Sequence, residues 1–431
     1  MNITNINELP YVLLGEIISR LACYKLIFQC KCVSKRWCTF ISEPYFIGRF
    51  LRVQIDKQIP TMATLINIRG EELHDRMSSL SSSMRLTQLL KRLVSFHGFK
   101  VEPIVVATYN DLVLCCAPLN NQSNYYICNP YTMQWVALPP PPTQFPVTAK
   151  VVGIICDTPY YNYYKEDAGK RQIIQLNADY KCKVIRLLSS YEYPKNYKCK
   201  VEIFSSETGE WSETVIISPK PWYHIYSSIA HNGVLYHLCQ STDSRTCLAG
   251  LDPFMIMNKI TNSTTGNGVD HYKCCHVEMD TTVVGGFSGD YCVVSERSLR
   301  ISYFDWDTFS VYVWDLKEAE EEECHAEVVI EGTGKLCWKH TGVFSLDRDI
   351  APDESSVSVF ELIAIDPNND DILYLNINGD LVMSNIQTRK WSVLVRESQI
   401  IDSHFFQLQL PLWPTPIPKL PQHANGGGTS S

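Results

Sequence analysis

The chain begins with a segment, Leu9 to Phe50, in which apolar residues recur with helical spacing. The first group stands at every third to fourth position and comprises Leu13, Leu14, Ile17, Ile18 and Leu21. This spacing predicts a helix with one broad apolar face. Pro10 suits the first turn of that helix, because proline has a fixed φ and no N–H to leave unpaired.

Two further helices are predicted in the same segment. One spans about residues 24–32, and the other starts after Ser34, a favourable N-cap, and ends at Pro44. A segment with three helices in so few residues is below the size that usually folds unaided. Its remaining apolar surface therefore needs a second surface to cover it, either the rest of this chain or a partner protein.

Beyond about residue 101 the pattern changes to short apolar runs separated by Asn, Asp, Gly and Pro, which predicts an all-β region. The pattern Thr-x-x-Trp recurs in this region and ends at Trp135, Trp211 and Trp391. Each copy follows one predicted strand and precedes another. The three tryptophans are expected to be equivalent buried positions in separate sheets.

A second recurring feature of this region is a turn that opens a strand, at Asn110, Asn232 and Asn378. Asparagine and a following glycine tolerate the positive φ values of tight hairpin turns. Repeated strands of this kind indicate the blades of a β-propeller, and the available length would hold about six or seven blades. A pair of β-sandwiches is the alternative.

These patterns divide the chain into a helical domain at residues 1–50, an all-β domain at residues 101–415 and a disordered tail at residues 416–431. Residues 51–100 are expected to be a linker region. It contains predicted strands near residues 50–55 and 63–68, a polar exposed stretch at 70–83 and a short amphipathic helix at 86–94. The two domains are expected to be separable near Phe50.

Composition narrows the classes of function. The net charge is −8, and residues 1–50 carry +3, so the remainder carries −11, which argues against a nucleic-acid partner. The chain shows no signal-peptide core and no apolar run long enough to span a membrane. Its 17 cysteines lack disulfide-like spacing, so we expect a reducing compartment, the cytoplasm or the nucleus.

The helical segment resembles an F-box. The residues that carry the resemblance keep the order and spacing of that motif: Leu9-Pro10, Leu14, Glu16-Ile17, Ser19-Arg20-Leu21, Leu26, Lys31 to Trp37 and Pro44-Tyr45-Phe46. F-boxes dock on the Skp-type adaptor of SCF (Skp–cullin–F-box) ubiquitin ligases, so the resemblance implies such an adaptor as partner. The implied adaptor contacts or their supports are Leu9, Pro10, Leu14, Ile17, Leu21, Leu26, Val33 and Trp37, with Lys35 and Arg36 as a polar rim.

The β region resembles the F-box-associated domain of plant F-box proteins, a family related to F-box/kelch proteins. The resemblance rests on residues 125–130, 201–211 and 232–237. It implies a kelch-like propeller that captures a target protein. The adjacent glycine pair typical of kelch repeats occurs in this region only at Gly285-Gly286.

No set of side chains predicts catalysis. The run from His271 to His276 holds four potential zinc ligands, but no second ligand pair follows at zinc-finger spacing. Residues 332–335 lack the spacing of a phosphate-binding loop, and neither a Ser/His/Asp nor a Cys/His set can be assembled. We therefore expect no metal, no cofactor and no enzymatic activity.

Aromatic residues in predicted loops are the candidate target-binding face, because Tyr and Trp dominate the hot spots of protein interfaces. They are Tyr160, Tyr161, Tyr163, Tyr164, Trp222 and Tyr223. The alternative is that these side chains bury the edges of sheets.

The sequence thus predicts a small three-helix F-box followed by a kelch-like propeller, in an α+β multidomain chain. Its predicted function is substrate recognition in an SCF ubiquitin ligase, with cullin and RING subunits reached through the adaptor and with an unknown target. One alternative is a binding scaffold that acts without ubiquitination, and another is an enzyme on a propeller, such as a kelch-type oxidase. Within the leading class, a pollen self-incompatibility F-box protein fits equally well.

Overall fold

The N-terminal part of the protein is a head of four helices. The structure, a computed structural model, describes residues 6, 9–57, 62–73, 84–119, 122–143, 149–165, 172–188, 198–217, 222–241, 246–254, 257–260, 269–278, 293–295, 299–305, 310–318, 329–330, 334–345, 360–396 and 405–421. The head, residues 9–57, contains α1 (Tyr11–Ser19), α2 (Tyr24–Lys31), α3 (Lys35–Ser42) and α4 (Pro44–Asp56). The remaining residues are called the body.

The segment from α3 to α4 corrects two predictions, the strand near residues 50–55 and the domain boundary at residue 50. Ser34 caps α3 as predicted, because its Oγ accepts a hydrogen bond from the Trp37 N–H at 3.2 Å. Pro44 ends α3 but also occupies the first turn of α4, where a missing N–H costs nothing. The strand predicted near residues 50–55 is wrong, because α4 continues to Asp56 with every third or fourth side chain turned inward. The predicted boundary at residue 50 lies inside this helix.

After the head come β1 (Met62–Asn67) and helix α5 (Met84–His97), which confirm the strand and the amphipathic helix predicted for the linker region. Most of the predicted polar stretch between them, residues 74–83, lies outside the described residues. The first four-stranded sheet of the body consists of β2 (Ile104–Tyr109), β3 (Leu112–Leu119), β4 (Gln122–Asn129) and β5 (Gln134–Ala137).

The next strands form a nine-stranded sheet with an inserted hairpin, β7–β8. In chain order they are β6 (Ala149–Cys156), β7 (Tyr161–Lys165), β8 (Gln172–Leu176), β9 (Cys182–Leu188), β10 (Lys198–Ser205), β11 (Glu210–Ile217), β12 (Trp222–His231), β13 (Val234–Ser241), β14 (Thr246–Leu251), β15 (Met257–Ile260) and β16 (Val269–Glu278). Within it, β6-β9-β10-β11 and β12-β13-β14-β16 are two antiparallel units, joined by parallel pairing of β11 with β16.

Two more sheets, of five and four strands, follow in the described body. One contains β17 (Val293–Ser295), β18 (Arg300–Asp305), β19 (Ser310–Glu318), β20 (Val329–Ile330) and β21 (Gly334–Ser345), and the other contains β22 (Phe360–Ile365), β23 (Ile372–Ile377), β24 (Asp380–Asn385) and β25 (Lys390–Val395). The repeated antiparallel units after a helical head confirm the predicted fold class. The expected count of about six or seven blades stays a prediction.

The hairpin turns have the predicted backbone conformation. Asn110, Asn232 and Asn378 adopt φ values of 52°, 47° and 52°. These values lie in the left-handed region, which asparagine tolerates better than other non-glycine residues. Local sequence therefore decided the direction of these three strand reversals.

The Thr-x-x-Trp pattern marks equivalent positions, as predicted, but they are not all buried. Trp135, Trp211 and Trp391 lie second in β5, β11 and β25 of three different sheets. Trp135 and Trp211 are half-buried, and Trp391 is 39% exposed. The expectation that all three are buried is wrong, most clearly for Trp391, which lies on the edge strand β25.

Replacing these tryptophans with alanine should therefore have unequal effects on stability. Trp211 donates from Nε1 to the Pro139 carbonyl at 2.7 Å and packs against Phe204, so we expect Trp211→Ala to lower the free energy of unfolding by about 3 kcal/mol. Trp391→Ala should cost only about 1 kcal/mol. Urea denaturation of both variants measures the difference, and equal losses would contradict this account.

The C-terminal strand returns to the start of the body. β26 (Phe405–Leu410) pairs antiparallel with β1, from Met62 opposite Leu410 to Asn67 opposite Phe405. The Asn368 side chain holds the other edge of β1, since its Nδ2 donates to the Ala63 carbonyl at 2.7 Å and its Oδ1 accepts from the Ala63 N–H at 2.8 Å. The two ends of the body are thereby joined.

The chain after β26, residues 411–421, packs along the first sheet. Asp111 Oδ2 accepts from the Thr415 N–H at 2.7 Å and from Asn129 Nδ2 at 2.9 Å, and Asn129 Nδ2 also donates to the Thr415 carbonyl. Burial raises the pKa of the Asp111 carboxyl above its usual value. Tyr180 donates to the Pro416 carbonyl. The expectation of a disordered tail from residue 416 is therefore wrong as far as residue 421, and residues 422–431 lie outside the described residues.

Candidate functional site

Helix α1 carries apolar side chains on two adjacent faces, one buried and one exposed. Leu14 and Ile18 point into the head and are almost fully buried. Leu13 and Ile17 stand one position earlier and point outward, with Ile17 52% exposed, and Val12 beside them is 73% exposed. The single broad apolar face predicted from the sequence is thus two stripes, one for folding and one left open to solvent.

The inner stripe of α1 rests on the other helices of the head. The buried residues there are Leu14, Ile18, Tyr24, Ile27, Trp37, Phe40, Ile41, Phe46, Ile47, Phe50 and Leu51. The helices approach closely, since a Cβ at Gly15 would lie 3.0 Å from Phe40 Cζ. This packing fixes which side of α1 faces outward.

The outer stripe is accompanied by further exposed apolar residues on the head. We define the outer face of α1 as Tyr11, Val12, Leu13 and Ile17, all about half exposed or more. Elsewhere on the head, Leu26, Val33 and Tyr45 are also exposed. Exposed apolar side chains grouped on one helix, as on α1, commonly mark a protein contact. The head therefore folds without using a large part of its apolar surface.

The structure sorts the ten predicted adaptor residues into three groups by exposure. Exposed positions, able to touch a partner, are Pro10, Ile17, Leu26, Val33 and Lys35. The buried pair Leu14 and Trp37 can act only as supports, and Leu9, Leu21 and Arg36 are partly buried. Sequence reasoning missed Tyr11, Val12 and Leu13 as exposed residues. The signal for Leu13 was present, because it stands four residues before Ile17 on the same face.

Arg36 was predicted to belong to a polar rim, but its side chain is bound within the head. Its Nη2 donates to the Leu9 carbonyl at 2.6 Å, and its guanidinium lies 4.6 Å from the centre of the Tyr11 ring. These contacts tie the start of α3 to the start of α1. Lys35, by contrast, is exposed, as a polar rim requires.

Ionic contacts hold α1 against α4. Glu16 accepts from Arg20 on its own helix at 2.6 Å and from Arg49 on α4. The buried amide of Gln54 donates to the Leu21 carbonyl at 3.0 Å, at the end of α1. The outer face of α1 is therefore presented in one fixed orientation before any partner binds, which lowers the entropic cost of binding.

The head packs against the body through the side chain of Trp413. The Trp413 ring is nearly fully buried and meets the rings of Phe28 at 5.4 Å, Phe50 at 5.6 Å and Phe46 at 6.5 Å. Lys31 lies 5.7 Å from the same ring, and burial lowers the pKa of its ammonium. Head and first sheet share one hydrophobic core.

The candidate target-binding tyrosines are placed differently from the prediction. Tyr160 is buried, and Tyr161 is half-buried with its Oη accepting from the Leu412 N–H at 3.2 Å. Tyr161 therefore contacts the C-terminal segment, and assigning the buried Tyr160 to a target face is wrong. Tyr163 and Tyr164 lie on β7, and Trp222 and Tyr223 on β12, so they belong to strands rather than loops. The side chains of these last four lie outside the described residues.

Neither a metal site nor a membrane segment is found in the part of the chain that the structure describes. No group of three or more His, Cys, Asp and Glu side chains there could hold a metal ion. The run from His271 to His276 lies on β16, and its side chains are outside that part. No described helix is long and apolar enough to cross a membrane.

Two protein families match consecutive parts of this chain. Residues 6–47 match the F-box domain family, and residues 58–259 match the family described as F-box protein At3g26010-like, beta-propeller. A curated relative, F-box protein At5g49610 of Arabidopsis thaliana, is 26% identical over 156 residues. That stretch covers 34% of this chain and 39% of the relative, so the match spans well under half of either protein.

Two solved structures overlap only weakly with this chain. The Aleuria aurantia lectin AAL, solved as a mutant in complex with Fucalpha1-6GlcNAc, covers 67% of this chain and 75% of its own length at 9% identity and a TM-score of 0.26. A structure from a study of two prolyl endopeptidases covers 78% of this chain and 59% of its own, also at 9% identity, with a TM-score of 0.20. TM-scores this low do not establish a shared arrangement of the sheets.

Proposed function

This chain is an F-box protein with a C-terminal β-propeller domain, and we propose that it is the substrate-recognition subunit of an SCF ubiquitin ligase. F-box domains generally bind Skp-type adaptors. The observation that carries the proposal is the outer face of α1, which lies within the matched F-box segment and exposes Val12, Leu13 and Ile17. An adaptor bound there covers the apolar surface that the head leaves open.

In this function the chain performs no bond chemistry of its own. The adaptor connects the head to cullin and RING subunits, and the propeller holds a target protein. Because the head and the first sheet share one core through Trp413, an adaptor on the head would keep one orientation relative to that sheet. The contribution to ubiquitin transfer is then proximity and orientation, which can account for a large part of a rate enhancement. We place this activity in the cytoplasm or the nucleus.

Co-purification tests the whole assembly rather than the adaptor contact alone. We expect tagged full-length protein from plant cells to bring down both a Skp-type adaptor and a cullin, because the cullin is reached only through the adaptor. Immunoblotting for both subunits is the measurement, with a proteasome inhibitor present so that targets and their ubiquitin conjugates accumulate. Recovery of adaptor without cullin or ubiquitin conjugates would instead support a scaffold that acts without ubiquitination.

A further inference from the structure

The body exposes a second apolar surface, at the C-terminal end of α5. Phe96 on this helix is 56% exposed, and Val101 and Ile104 just after it are exposed as well. Trp135, half-buried on the edge strand β5, lies beside Phe96, with its ring centre 5.8 Å from that of Phe96. Ile104 opens β2, at the opposite edge of the same sheet from β5, so we define the α5 patch as Phe96 and Trp135 alone.

The α5 patch stands on a well-packed base. The inner side chains of α5, at Leu86, Leu89, Leu90 and Leu93, are buried in the core shared with the first sheet. Next to Phe96, the His97 ring stacks on Phe99 at 5.2 Å and contacts Tyr126 at 5.0 Å. The exposed rings are therefore held in place, and a ligand would not have to order them first.

Exposed basic residues stand close to Phe96 in the sequence. Lys91 and Arg92 are exposed on α5, and Arg92 stands four residues before Phe96, which places the two on the same helix face. Lys100 is exposed on the other side of Phe96. Residues 84–104 contain four Lys or Arg and one Glu, a local charge of +3. Residues 51–431 as a whole carry −11, so the α5 patch is a basic area on an acidic body.

We propose that the α5 patch is the docking surface for an acidic segment of the target protein that carries an apolar anchor residue. Phe96 and Trp135 offer the aromatic contact that typically dominates a protein hot spot. Lys91, Arg92 and Lys100 supply the complementary charge that steers an acidic partner and fixes its register. The acidic remainder of the body opposes a highly charged polyanion such as a nucleic acid or an anionic membrane. This inference rests on the proposed function, of which it names the partner chemistry.

The test uses the full-length chain bound to its Skp-type adaptor. The probe is a short fluorescent peptide with a central leucine flanked by glutamates, and the matched probe replaces every glutamate by lysine. Binding is followed by fluorescence anisotropy at low and at physiological salt. We expect the acidic peptide to bind and to weaken as salt increases, and the basic peptide not to bind.

Variants at exposed positions locate the site without disturbing the core. We expect the double change Lys91→Glu and Arg92→Glu to weaken the acidic peptide by at least about tenfold, and Phe96→Ser to weaken it by about fivefold or more. Lys390→Glu, an exposed change of the same kind on β25, should leave binding within about twofold. Circular dichroism of each variant checks the fold.

The peptide-binding results decide whether the α5 patch is a docking surface for an acidic segment. The proposal is overturned if the acidic peptide fails to bind at about 1 mM, if Lys390→Glu matters as much as the α5 changes, or if the intact chain binds anionic phosphatidylserine vesicles but no peptide. Measuring bound adaptor in the same preparations distinguishes a failure of the α5 patch proposal from a failure of the proposed function. Loss of peptide binding with adaptor retained concerns the α5 patch alone, whereas a wild-type chain without adaptor refutes the F-box role.

Discussion

Replacing Ile17 with aspartate should abolish binding of a Skp-type adaptor while the head stays folded. Ile17 is 52% exposed in the free chain, so the carboxylate remains hydrated there and the cost to folding is small. A partner that covers the outer face of α1 would have to bury this charge unpaired, which costs several kcal/mol and lowers affinity by about a hundredfold or more. Isothermal calorimetry with purified adaptor measures the loss.

Two matched variants make this result specific. Phe96→Asp introduces the same charge at an equally exposed apolar position of the body, and it should leave adaptor affinity unchanged. Leu14→Asp, one turn of α1 away from Ile18 on the buried stripe, should instead unfold the head. Adaptor binding that survives Ile17→Asp undiminished would mean that the outer face of α1 is not the adaptor site.

Replacing Trp413 with alanine should produce the largest loss of stability at the junction of head and body. Three ring contacts, to Phe28, Phe46 and Phe50, disappear together from a site that is nearly closed to solvent. We expect the free energy of unfolding to fall by about 3–5 kcal/mol, the usual cost of deleting a buried aromatic side chain. Urea denaturation monitored by circular dichroism gives the value.

Trp391→Ala is the natural control, because that ring is on an edge strand and 39% exposed. It should cost far less than Trp413→Ala. Limited proteolysis adds a second readout, since loss of the Trp413 contacts should make the helices of the head more accessible to cleavage. Equal stability losses in the two variants, together with unchanged proteolysis, would show that Trp413 does not hold the head in place.

The shared core also changes how the chain can be divided. A truncated protein that begins at Phe50, as the sequence suggested, would lack Phe46 and the first half of α4 and would leave Trp413 uncovered. Such a protein is expected to be less stable than the intact chain. The α5 patch variants, which leave this junction intact, are therefore better suited to separating target binding from adaptor binding.

Much of the local structure followed from the sequence, because it depends on residues close together in the chain. The helical period predicted α1 and α5, and the Ser34 side chain capped α3. Asparagine at the turns set the positive φ values that reverse the strands. The Thr-x-x-Trp pattern located the second residue of one strand in each of three sheets. Each of these features depends on a few residues that are close together in the sequence.

The tertiary structure decided which apolar side chains are available to a partner. A helical stripe of adjacent apolar residues does not say whether Leu13 or Leu14 turns inward, and only the packing of α1 on α3 and α4 settled it. The Tyr161 hydroxyl accepts a hydrogen bond from the Leu412 N–H, 251 positions later in the chain, and Trp413 packs against Phe28 in the head. Burial results from contacts between segments distant in sequence, which local patterns do not encode.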